Sequence, residues 1–166
     1  MGATLAPLKA NADMISGTAC VTDGARLSIQ GRRAYGSCQG GTPIRLARIA
    51  APPLDQICEM PDGQRWDCGR WAAYNLLEVV KGKNLICSGD GTLNGQGEAI
   101  MRCQVPWDDD RVDLGGLMVE QGWAINERGG DIYDKEQSAA QEAKVGLWQG
   151  RFNHPDDWRQ KTKPEK

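Results

Sequence analysis

Apolar and polar positions alternate most clearly over residues 20–56. Residues 21–23 and 26–29 read as two short strands hinged at Asp23-Gly24, a dipeptide that favours a tight hairpin turn. Residues 42–49 read as a third strand, with Ile44 and Leu46 on one face and Arg45 and Ala47 on the other, until Pro52-Pro53 withdraws two backbone donors and ends it. Arg45 is therefore expected to point away from Ile44 and Leu46. Further on the period lengthens. Ala73, Leu76, Leu77 and Val80 recur at helical spacing and Gly82 provides a stop, which predicts a helix over 70–80. Residues 83–88 and 99–105 read as strands separated by a turn-rich crossing, so that Cys87 and Cys103 fall on neighbours. Asp113 is placed to cap a second helix carrying Leu114, Leu117 and Met118 on one face and ending near Gly122. A third helix is expected over 133–144, with Ala140, Ala143 and then Leu147 on one side. Residues 1–16 hold no sustained periodicity. The expected organisation is a loosely docked arm (1–16), one domain (17–158) and a polar tail (159–166).

The length of 166 residues suits a single domain that buries its own core. A formal net charge of -2 gives no global attraction to a polyanion, so nucleic-acid binding would need a local basic patch. No apolar run reaches the roughly 20 residues that span a bilayer, which predicts no membrane span. Residues 1–17 lack the charged start and continuous apolar centre of a signal peptide, so the chain reads as a mature form. Six cysteines form an even set in a small domain, which points to disulfides and an oxidising compartment, periplasmic or secreted. Zinc is the rival reading, but no Cys-x-x-Cys pair occurs and the single histidine, His154, lies far from the cysteines.

Candidate chemistry is sparse. The glycine-rich run 31–41 embeds Arg32, Arg33 and Tyr35, a combination able to grip a phosphate or stack on a base, and equally the composition of a solvated hairpin tip. Asp108, Asp109 and Asp110 are consecutive, whereas calcium loops space their carboxylates so that alternate residues converge; a solvated acidic turn is expected. His154 with Asp156 and Asp157 invites an acid–base reading but has no serine or thiol assignable beside it. Six tryptophans are many for this length, and any that stand exposed would mark a binding surface.

The order of features resembles the thermonuclease (staphylococcal nuclease-like, SNase-like) family. Its pattern is roughly Asp-Gly-Asp-Thr-Leu, a turn, Ile-Arg-Leu-x-Gly-Ile-Asp-Ala-Pro-Glu, then Gln and often Cys. Asp23, Gly24, Leu27, Ile44, Arg45, Leu46, Ile49, Ala51, Pro52, Gln56 and Cys58 match it, and the runs 118–124, 133–143 and 146–150 are similar to the family's later segments. The resemblance implies an α+β, mainly β fold: a five-stranded OB-fold barrel with about three packed helices. It also implies the cysteine pairs Cys58 with Cys68 and Cys87 with Cys103, which sequence neighbourhood supports, and leaves Cys20 to pair with Cys38.

The family's chemistry is not carried over. Its metal-binding aspartates correspond to Ala25 and Ala50, its catalytic glutamate to Pro53, and its second phosphate-clamping arginine to Glu98; only Arg45 is retained. A methyl group cannot ligate calcium, and proline cannot act as a general base. No cofactor is expected, and calcium only if cleavage survives. The leading expectation is a catalytically inactive binding or structural module of the cell envelope whose partner is another protein or an envelope component. A residual metal-dependent phosphodiesterase is the alternative. A further one is nucleic-acid binding without cleavage through Arg26, Arg32, Arg33, Arg45 and Arg48. Arg45 and Glu98 are expected to form an ion pair where the family holds a phosphate.

Overall fold

The computed structural model describes residues 13–161. Residues 1–12 of the expected arm and 162–166 of the expected tail lie outside them. Strand β1 (Asp13–Gly17) occupies what the pattern assigns to the arm, pairing antiparallel with a later strand so that Ile15 stands opposite Cys87. The hairpin at Asp23-Gly24 joins β2 (Ala19–Asp23) to β3 (Arg26–Ile29), with Val21 opposite Leu27. The glycine-rich run that follows is itself a hairpin, β4 (Arg32–Ala34) and β5 (Ser37–Gln39). Then β6 (Thr42–Leu46) returns along β3. Short pairs follow: β7 (Ile49–Ala50), which meets β13 (Ile125–Asn126), and β8 (Cys58–Glu59), which meets β9 (Arg65–Trp66).

After helix α1 (Cys68–Val80) come β10 (Leu85–Gly89), the long β11 (Ala99–Trp107) and β12 (Asp110–Asp113). Asp108 and Asp109 thus form the tip of a hairpin. The described chain finishes with α2 (Leu114–Glu120), α3 (Asp134–Ala143), a 3-10 turn at Gly146–Gln149 and α4 (Pro155–Lys161), which begins in the expected domain and runs three residues into the expected tail. Strands dominate. The main sheet runs β1-β10-β11-β6-β3-β2 with β12 added to β11, seven strands that curl into a half-barrel, and four α-helices are found among the described residues. The β11–β6 contact is parallel and the other strand contacts in this sheet are antiparallel.

Alternation along β3 and β6 sends Leu27, Ile29, Ile44 and Leu46 into one core with Leu85, Met101, Leu114 and Met118, closed by Leu76 and Val79 of α1. The buried stripe of α1 is Ala72, Leu76, Val79 and Val80, so the helix is turned from the face expected on periodicity: Leu77 stands exposed. Likewise Ala140 of α3 is buried but Ala143 is not. Asp113 does sit at the start of α2, but its carboxylate accepts bonds from Tyr133 O–H and Arg102 instead of capping the helix. Three disulfides brace the chain, Cys20–Cys38, Cys58–Cys68 and Cys87–Cys103, the pairs expected, and Cys87 faces Cys103 directly across β10 and β11. No helix among the described residues is long and apolar enough to cross a membrane.

Candidate functional site

Strand register builds the site. Because Leu27 opposes Ile44, Arg26 opposes Arg45, and two like-charged side chains leave β3 and β6 on the same side of the sheet, opposite to Leu27 and Ile44. Like charges directly opposite one another destabilise a sheet unless anions join them. Asp23 and Glu98 are those anions. The Arg26 Nε donates to Glu98 Oε2 at 2.9 Å, and Arg26 Nη1 lies 3.5 Å from Asp23 Oδ2. Arg26 therefore bridges two buried carboxylates, one at each end of its guanidinium. Glu98 is held from its other side by Asn94, whose Nδ2 donates to Glu98 Oε1 at 2.8 Å while its Oδ1 accepts from the Glu98 amide at 2.9 Å. Asp23 is fixed by the Ala25 N–H, 2.9 Å from Oδ1. Burial pushes the Asp23 carboxyl above its ordinary range, opposed by that N–H and by the charges of Arg26, Arg159 and Arg45.

Arg159 reaches the same place from α4. Its guanidinium donates to the Ala51 carbonyl and to Asp156 Oδ1, each at 3.3 Å, and burial together with the neighbouring Arg45 charge lowers its pKa. The half-buried Arg45 side chain makes no hydrogen bond and no close ion pair among the described residues. It borders a cleft of about 220 Å³ with Arg48, Ala50, Glu127, Arg128 and Asp156. The cleft's rim charges are matched, Arg48 with Glu127 at 3.2 Å and Arg128 with Asp157 at 2.8 Å.

The expected Arg45–Glu98 pair is thus replaced by Arg26–Glu98. Both arginines share the face, and the Asp23 carboxylate beside Arg26 selects that guanidinium to lie between two anions. Ala25 and Ala50 are fully buried, Ala25 in the main core and Ala50 in a second cluster with Cys58, Cys68, Ile125 and Leu147, while Pro53 is half-buried. Arg32, Arg33 and Tyr35 are not brought to this site. Tyr35 is fully exposed at the β4–β5 turn, and Arg33 is spent on the carbonyls of Val21 and Gly36. His154 Nδ1 accepts from the Asp156 N–H, burial lowers its pKa, and every cysteine is in a disulfide, so no nucleophile completes an acid–base pair there. Among the described residues no group of three carboxylate, histidine or cysteine side chains converges, and Asp23 and Glu98 are both paired with Arg26.

Sequence reasoning missed Arg159 and the specific role of Arg26. A signal for the first was present: Pro155 at a first helical position, Asp156 and Asp157 in the first turn and Arg159 and Lys161 in the last are the marks of a short helix. No protein-family model matches the chain, and no curated protein matches it.

The pairing predicts a specific coupling pattern. Arg26→Met and Glu98→Gln should each destabilise, and the double variant should recover about 1 to 2 kcal/mol relative to their sum, since a charged hydrogen bond in a part-buried setting is broken only once. Arg45→Met with Glu98→Gln should be additive within about 0.5 kcal/mol. Denaturant melts of the five variants check both, and coupling to Arg45 larger than to Arg26 would contradict the geometry.

Proposed function

We propose that this chain is a thermonuclease-like domain of OB type whose hydrolytic site has been replaced, and that it serves as a non-catalytic binding or structural module in an oxidising compartment, periplasmic or secreted. The observation that carries the reading is Arg26 held between Asp23 and Glu98, next to buried Ala25. Phosphodiester cleavage concentrates negative charge on phosphoryl oxygens and needs a cation there together with an activated water. Here the carboxylates beside Arg26 neutralise a side-chain cation instead of a metal, and the cleft's own carboxylates, Glu127 and Asp156, are paired with Arg48 and Arg159. The curled half-barrel and the order of residues from Asp23 to Cys58 support the family reading, and three disulfides support the compartment.

Nucleic-acid binding is disfavoured by the same geometry. Of the five arginines that would supply it, Arg26 is bridged by two carboxylates, Arg33 is bonded to backbone and Arg48 is paired with Glu127. Isothermal titration with calcium tests the proposal at the level of the site. No saturable binding is expected at millimolar calcium. A stoichiometric site that is lost in Asp23→Asn or Glu98→Gln would overturn it.

A further inference from the structure

Among the described residues, nothing covers one face of α1. Asp67, Arg70, Trp71, Tyr74, Leu77, Glu78 and Lys81 are all exposed and follow the alternating three- and four-residue spacing that keeps side chains on one side of a helix. Trp71 and Tyr74 are each about half exposed, and Leu77 is 40% exposed. Their apolar surface is contiguous: the Trp71 and Tyr74 rings meet edge to face with centroids 5.6 Å apart. A solvated helix face normally carries charge at such positions, and an exposed aromatic stripe marks a contact surface.

The order of residues on that face states what it contacts. About Tyr74 the face is self-complementary. Three residues to either side stand Trp71 and Leu77; four to either side stand Arg70 and Glu78; seven to either side stand Asp67 and Lys81, the two cap residues. None of these four charged side chains has a hydrogen bond or an ion pair within the chain among the described residues. We propose that α1 pairs antiparallel with α1 of a second copy of this chain, the two-fold axis passing beside Tyr74. Such an interface is isologous: each patch meets itself in reverse order. Trp71 then packs on Leu77 of the second copy, Tyr74 on its counterpart, Arg70 faces Glu78 and Asp67 faces Lys81, each twice. Spacings of three and four residues suit helices crossing at about 20°. Antiparallel alignment also sets each helix N-terminus beside the opposing C-terminus, which is the favourable order for the two dipoles. The inference is independent of the thermonuclease-like reading, since α1 presents this face on the side opposite its buried stripe.

Sedimentation equilibrium across the micromolar range tests it. The wild-type chain is expected to show a reversible monomer–dimer equilibrium that weakens with salt. Trp71→Ser should raise the dissociation constant by about tenfold or more, because aromatic anchors at an interface centre carry most of the binding. Arg70→Glu and Glu78→Arg should each weaken self-association by about tenfold, since each sets like charges opposite one another twice. An equimolar mixture of those two variants should associate as the wild type does, because both charge contacts are then restored. All the substitutions lie on the exposed face, and circular dichroism will confirm that the variants fold. A wild-type chain monomeric throughout the range would overturn the proposal. So would a dimer unaffected by Trp71→Ser, or one whose charge variants fail to rescue each other on mixing.

Discussion

Gly69→Ala is expected to destabilise the fold by on the order of 3 kcal/mol or more, beyond the usual range for overpacking. A β-carbon at this position would lie 1.8 Å from the Pro53 carbonyl oxygen and 2.9 Å from the Leu54 backbone, overlaps that a rotamer change cannot relieve. Neither partner is free to retreat. The Gly69 N–H donates to the Gln56 carbonyl at 3.2 Å, the Gln56 N–H donates to Pro53, and the adjoining Cys68 is tied to Cys58. The helix behind Gly69 is anchored by the buried Ala72, Leu76 and Val79. Gly95 is the matched control: nothing lies within 4 Å of its would-be β-carbon and its φ is not in the left-handed region, so Gly95→Ala should change stability by no more than about 0.5 kcal/mol. Urea melts of the two variants decide the matter, and a loss below about 1 kcal/mol at Gly69 would show that the Pro53 loop is not clamped.

Removing the Cys87–Cys103 bridge by a double alanine substitution is expected to cost about 2 to 5 kcal/mol. Loop-closure entropy depends on the length of chain enclosed, and the sequence separations of 16 for this bridge and 18 for Cys20–Cys38 are nearly equal. Any difference between them therefore reports packing. Cys87 and Cys103 are fully buried in the main core, whereas Cys38 is half-exposed on the β4–β5 hairpin. The Cys87/Cys103 variant should lose more, by about 1 kcal/mol for the extra void. Equal losses would mean the core sulfurs contribute nothing beyond the cross-link. Non-reducing peptide mapping of the wild type should return the three pairs described, and a crossed pair would contradict the strand register.

Much of the frame is legible from the chain alone, for identifiable reasons. The Asp23-Gly24 turn, the alternation of Ile44, Arg45 and Leu46, and the helical spacing after Cys68 are local patterns strong enough to survive folding. What escapes is set by partners distant in sequence. The stripe of α1 that is buried is chosen by the curvature of the sheet, which accepts Ala72 and Val79 and leaves Leu77 outside. Strand β1 has too few apolar residues to declare itself and exists because β10 offers it an edge. At the site, sequence order places an arginine and Glu98 on one face but cannot say which arginine, since the choice depends on Asp23 lying beside Arg26 and on Asn94 orienting the glutamate. That Ala25, Ala50 and Pro53 carry no carboxylate needed no structure to be seen.

The proposal that this self-neutralised site does not hydrolyse phosphodiesters is tested most directly by incubating the purified protein with single- and double-stranded DNA and with RNA in millimolar calcium, and following cleavage against a chelator control. The account predicts no calcium-stimulated cleavage, and the same background from the wild type and from Arg45→Ala. Calcium-dependent cleavage that disappears in Arg45→Ala would contradict it.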